Sequence, residues 1–133
     1  MRLNAVDAWI LLRTSDHGVL ATVHPERGVD AVPVVFAVDG DRVVVPVDTV
    51  KAKSTTRLRR LLNLAQDPRC VLLVDHYDDD WSRLWWVRVH ATAAIVDGCH
   101  DALLRFEPYR ADGAVEATIV LEPTEVTGWQ ASE

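Results

Sequence analysis

The stretch from Leu84 to Val96 most narrowly limits the folds open to this chain. Its residues suit an extended strand with Trp85, Val87, Val89, Ala91, Ala93 and Ile95 on one face. The opposite face then carries Trp86, Arg88, His90, Thr92, Ala94 and Val96, because side chains alternate along a strand. Shorter strand-like runs surround it: Val19 to Val23, Ala31 to Val38, Arg42 to Val47, and Ala117 to Leu121 extended by Val126 to Trp129. Cys70 to Val74 is apolar without interruption, the pattern of a strand buried on both faces. His24-Pro25-Glu26-Arg27-Gly28 reads as a turn, and Asp39-Gly40 as a hairpin tip.

Helical patterns are few. Val6, Trp9, Ile10 and Arg13 mark a short N-terminal helix with Asn4 as its N-cap. A second helix starts near Ser54 or Thr55 and stops before Pro68, with Leu58, Leu61, Leu62 and Ala65 as its apolar face. A third, short one covers Asp101 to Phe106, with Ala102, Leu103 and Phe106 turned inward. About six strands with two or three helices, and no regular βαβ alternation, predict a β-rich α+β fold built as an antiparallel barrel. The 133 residues fit one domain, 1–133, and nearly half of them are apolar, so a single core forms.

Against this frame the segment after the third strand is unusual. The chain has 14 Lys and Arg against 20 Asp and Glu, a net charge of −6. Yet Lys51, Lys53, Arg57, Arg59 and Arg60 fall within ten consecutive residues that contain no acid. Two lysines just ahead of a helix N-terminus, where free backbone N–H groups and the helix dipole already favour negative charge, make a phosphate site. The same residues also fit a solvated basic helix face. Pro33 within a strand suits either an edge position or the close approach of a ligand.

Several function classes lack their signatures. Neither GxGxxG nor GxxxxGK[ST] occurs, and no GxSxG elbow is present. His17, His24, His76, His90 and His100 are scattered, so no metal-ligand spacing is read; His76 among Asp75, Asp78, Asp79 and Asp80 suits a divalent metal or, more simply, a solvated acidic loop. Cys70 and Cys99 form no CxxC, which suits a reduced, cytoplasmic protein, and Cys70 is expected in the core. No signal peptide and no membrane span are read, the longest apolar runs falling well short of the roughly 20 residues that a span needs. The acidic balance argues against nucleic-acid binding.

The order of these pieces resembles a known family. Gly18-Val19-Leu20-Ala21-Thr22, Val32-Pro33-Val34-Val35-Phe36, Asp39-Gly40-Asp41, Lys51-Ala52-Lys53, Leu61 to Val71, and Trp85-Trp86-Val87-Arg88-Val89 follow one another across residues 17 to 96. In that order they are similar to the pyridoxamine 5′-phosphate oxidase-like, flavin-reductase-like split β-barrel group. Within it the chain most resembles small actinobacterial oxidoreductases that use the deazaflavin coenzyme F420. The resemblance implies a split antiparallel barrel of the FMN-binding type, assembled as a homodimer with cofactor at the interface. It implies a hydride transfer between F420 and a small organic substrate, with FMN as the alternative cofactor and a non-catalytic cofactor-binding protein as the alternative function. Carried over to this chain, Lys51 and Lys53 contact the phosphate, as do Ser54 and Arg57. Pro33, Val34 and Val47 line the ring, and Trp86 closes the pocket from across the interface. Arg57, Arg59 and Arg60 are suited to the carboxylates of the polyglutamate tail that the deazaflavin carries. No catalytic side chain is assigned; Arg88 and His90 are the candidates for polarising substrate. The chain stops short of the C-terminal segment with which pyridoxamine phosphate oxidases hold their substrate, so that particular activity is not expected. The fuller arginine and lysine set of the FMN oxidases is missing too, which favours the deazaflavin.

Overall fold

The computed structural model describes residues 1–48 and 55–132, with the side chains of the second helix described from Arg59 onward. In chain order the elements are α1 (Ala5–Arg13), β1 (His17–His24), β2 (Gly28–Val35), β3 (Ala37–Asp39), β4 (Arg42–Asp48), α2 (Thr55–Gln66), β5 (Arg69–His76), β6 (Trp85–Asp97) and β7 (Val115–Gln130). Short 3₁₀ turns lie at Trp81–Arg83, Asp101–Arg105 and Glu107–Arg110.

All seven strands form one sheet in the order β2-β1-β5-β6-β7-β4-β3, with every neighbouring pair antiparallel. Strands β2 and β3 occupy opposite edges of that order, yet Phe36 alone separates them in sequence. The sheet therefore has to curl until its edges meet, and Phe36 is fully buried at the seam, its N–H donating to the Asp16 carbonyl (3.0 Å). No ladder joins β2 to β3, so the barrel stays split. The Ala31–Val38 run breaks at Phe36 into two strands, which is why there are seven rather than about six.

The inward faces of the strands build one core, in which Leu20, Val34, Val43, Val45, Val47, Leu72, Val74, Val87, Val89, Ile119 and Leu121 are buried and against which Val38 of β3 packs partly covered. Cys70 lies there as expected, and burial pushes its thiol up to about 12. Helix α1 packs against β3, β6 and β7. Asn4 caps it, its side chain accepting from the Asp7 N–H at 2.8 Å. Its buried face is Ala8 and Leu12 with Trp9 and Leu11 partly covered, whereas Val6 and Ile10, read as face markers, point to solvent.

The strand buried on both faces is β4, not β5. Val43, Val45 and Val47 enter the core, while Val44 joins Ala37, Leu103 and Val115 in a second cluster outside the sheet. The crossover between β6 and β7, with its two 3₁₀ turns, lays Leu103, Phe106 and Tyr109 over that outer surface. On β5 only Cys70, Leu72 and Val74 are buried; Leu73 faces outward and stays exposed, because none of the described residues covers that part of the sheet. The longest strand is β7, bulged where Thr124 is inserted opposite His90 and Ala91.

Candidate anion and cofactor site

Strand β4 ends at Asp48, with a register shift against β7 between Val47 and Asp48. The residues that follow, up to the end of α2, contain no carboxylate. Lys51, Lys53, Ser54 and the side chain of Arg57 lie outside the described residues. Arg59 is exposed and Arg60 half-buried. Two acids near this region, Asp48 and Asp30, are held by partners of their own. Tyr109 donates its hydroxyl to Asp48 (3.0 Å). Asp30, on β2, accepts from Asn63 (2.9 Å) and from Arg27 (2.9 and 3.1 Å), and these bonds, Asn63 first, hold its carboxyl below the usual range.

Asn63 itself corrects the sequence reading of α2. The periodicity selects Leu58, Leu61, Leu62 and Ala65 as the inward face, but Leu62 is 52% exposed and Ala65 is exposed. Asn63 is fully buried, with Leu64 beside it and Leu61 partly covered. The helix is turned by about one residue, roughly 100°, from the orientation that apolar periodicity alone would choose. The cause is the Asn63 amide, whose nitrogen donates to Thr22 Oγ1 (3.0 Å) and to Asp30 Oδ2 (2.9 Å). Thr22 and Asp30 face each other directly in the β1–β2 ladder. One amide thus bridges one cross-strand pair and decides between two apolar faces of the helix, one that buries Leu64 and one that would bury Leu62. No periodicity signal in the sequence marks Asn63; only its polar character inside an apolar helix face hints at a partner.

The residues assigned to the ring do not share a face. Val34 and Val47 are buried among the core side chains. Pro33 lies on β2, an edge strand, opposite Val19, and is exposed on the outer surface. Trp86 also lies on the outer surface, half-buried, with the Arg88 guanidinium 5.1 Å from its ring centre. Trp85 takes the opposite face, packs on the core and stacks on His76 at 6.1 Å. Pro33 and Arg88 stand in one row across the sheet, Pro33–Val19–Leu73–Arg88–Thr127. Three strand spacings separate them, about 14 Å. Within one chain Trp86 therefore does not reach Pro33.

His90 stands on the same outer surface, opposite Glu125. Its Nδ1 and the hydroxyl of Thr127 are shielded from solvent without a hydrogen-bond partner among the described residues. No group of three or more His, Cys, Asp or Glu able to hold a metal is found among the described residues. In the loop of His76 and the acids, Asp78 lies 3.6 Å from His76 and 3.8 Å from Arg83. No described helix is long and apolar enough to cross a membrane.

The donor chemistry fits an anionic ligand: an acid-free cationic segment, near acids that other side chains already hold. Comparison with solved structures places the fold. The chain is similar to an FAD-binding protein from Mycobacterium smegmatis, with 22% identity and a TM-score of 0.66 over 97% of this chain and 96% of that one. An FAD-binding protein from Mesorhizobium loti superposes with a TM-score of 0.72 at 13% identity, over 96% and 95% of the two chains. An F420 reductase is 23% identical with a TM-score of 0.65, over 88% of this chain and 93% of that one. No curated protein matches the sequence. The model of the pyridoxamine 5′-phosphate oxidase family, however, matches residues 6–130. A match over nearly the whole chain, on a split antiparallel barrel, makes this protein a member of the pyridoxamine 5′-phosphate oxidase family.

Proposed function

We propose that the protein is a cytoplasmic oxidoreductase that binds coenzyme F420 and transfers a hydride between it and a small organic substrate. The observation that carries this reading is the acid-free cationic segment between β4 and α2 in a barrel of this family. Lys51, Lys53, Ser54 and Arg57 hold the phosphate; ammonium groups on flexible stems suit it without demanding a fixed fork geometry. Arg59, exposed on α2, meets the carboxylates of the tail. Pro33, with no N–H of its own and placed on the edge strand, lets the ring lie along β2, where Val34 and Val47 support it from the core side. The bound cofactor supplies the hydride; the protein supplies orientation and exclusion of water.

The second copy belongs to the same reading. Val19, Leu73 and Trp129 stay exposed on the outer surface left open by the β6–β7 crossover, with Trp86 half-buried beside them. A homodimer through this surface brings Trp86 of one copy toward the other's cofactor and offers partners to His90 and Thr127. Arg88 and His90, on that surface, are then the side chains able to polarise a bound substrate.

Fluorescence titration of the purified protein with F420 and with FMN, side by side, tests the assignment. F420 binds more tightly, and Lys53→Ala weakens it by about tenfold or more, the scale of one lost charge-assisted contact. Preference for FMN would retain the fold and change the cofactor. Tight F420 binding with no turnover of any substrate by the reduced cofactor would make the protein a carrier. Binding of neither would overturn the reading.

A further inference from the structure

We propose that Asn63 is a positioning residue for the cofactor's anionic end: its buried amide sets the rotation of α2 and thereby the direction in which the basic side chains of that helix point. This rests on the reading that the acid-free segment holds the anionic part of the ligand.

The starting point is the exchange of two neighbours. Leu62 is left 52% exposed while Asn63 and Leu64 are buried, so the rotation exchanges one leucine for another and hydrophobicity alone hardly decides it. Apolar contacts between a helix and a sheet are non-directional and tolerate rotation. The two bonds from Asn63 do not. They run to Thr22 Oγ1 and Asp30 Oδ2, a directly opposed pair on β1 and β2, and both acceptors are fixed in turn. Thr22 is buried, and Asp30 is gripped by two nitrogens of the Arg27 guanidinium. The amide oxygen, Oδ1, is buried and finds no partner among the described residues. Two directional bonds to fixed acceptors secure the orientation of the helix.

That orientation matters for the helix's cations. Arg60 lies one turn before Asn63, on the same side of α2, and is half-buried, whereas Arg59 is a residue away around the helix and exposed. Turning α2 back by one residue would bury Leu62 in place of Leu64, and would swing both guanidinium groups by the same angle. At the length of an arginine side chain, such a turn displaces the charge by several ångströms, more than a hydrogen bond to a phosphate or carboxylate tolerates.

The experiment is a pair of variants read with paired ligands. Asn63→Leu and wild type are titrated with F420 and with its phosphate-free deazaflavin chromophore, with FMN and riboflavin as the second pair, and both proteins are melted. The proposal requires that Asn63→Leu still fold and melt cooperatively, whatever the change in melting temperature. It also requires a loss of affinity on the order of tenfold for the phosphorylated ligand, and little change for the phosphate-free one. Equal affinity of variant and wild type for the phosphorylated ligand would overturn it. So would equal loss of both ligands with a lowered melting temperature, because that is the signature of a merely structural residue. Should Asn63→Leu not fold, Asp30→Ala at the rim of the sheet decides: a loss confined to the phosphorylated ligand supports the proposal and no loss overturns it. Wild type that binds none of the four ligands would instead sink the cofactor reading itself, and the role of Asn63 with it.

Discussion

Tyr109 shows how a single side chain ties the outer cluster to the site. Its ring packs edge-on against Phe106, 5.8 Å between centroids, beneath the crossover, and its hydroxyl donates to Asp48 at the end of β4. Burial, and next the Asp48 carboxylate, push the phenol up to about 12. The neutral phenol is thus favoured by folding. Stability from this group is complete below the ordinary tyrosine value of about 10, and is lost as pH rises from there through about 12. Alkaline denaturation followed by circular dichroism should fall steeply over that interval. In Tyr109→Phe the fall should be shallower, with stability at neutral pH reduced by about 1 kcal/mol for the lost hydrogen bond. An identical alkaline limb in the variant would refute the assignment. Asn63 teaches the complementary lesson, since a single amide with two good acceptors reorients a whole helix.

At the scale of elements, the barrel depends on close strand contact at Gly18. Gly18 on β1 lies so near β5 that an added Cβ would stand 2.6 Å from the Leu73 carbonyl oxygen and 3.1 Å from Val74 Cγ2. The obstacle is backbone, which a side-chain rotation cannot relieve. Gly18→Ala should therefore push β1 from β5 and cost about 1–3 kcal/mol, the usual range for overpacking. A melting temperature equal to wild type would contradict this. By contrast Gly40 serves the β3–β4 hairpin, where it holds a positive φ of 61° next to Asp41 in a two-residue loop, a backbone turn that the Asp39-Gly40 pair announces. Strand boundaries of β1, β4, β5 and β6 were legible within a few residues, because alternation and turn residues are local signals. The faces of β4 and β5 were not. Whether the second face of an apolar strand is covered depends on the crossover after β6, which lies far along the chain from either strand.

For the whole molecule the decisive feature is the uneven covering of the sheet's outer surface. The crossover with Leu103 and Phe106 hides the β3-β4-β7 part, and the part carrying Val19, Leu73 and Trp129 stays open. Leu73 is 40% exposed at the middle of that open part, between Val19 and Arg88 in the ladder. If a second copy covers it, Leu73→Asp places a carboxylate in the seam and its counterpart in the other copy. Light scattering should then give the mass of one chain where wild type gives two, with the fold retained by circular dichroism. A wild-type protein that is already monomeric at micromolar concentration would rule out the dimer.

The sequence by itself determined the fold class, the antiparallel arrangement of short strands, the Asn4 cap and the turns, and the cationic character of the segment after β4. All of these follow from period, turn chemistry and charge, which are local. Tertiary structure alone decided the rest. It set the rotation of α2, because Asn63 meets Thr22 and Asp30 only after β1 and β2 have paired. It sent Val34 and Val47 into the core and Pro33 outward, because strand alternation assigns neighbours to opposite sides only once the barrel defines an inside. It also kept Trp86 three strands from Pro33, a separation that comes from the order of strands in the sheet and that no spacing along the chain records.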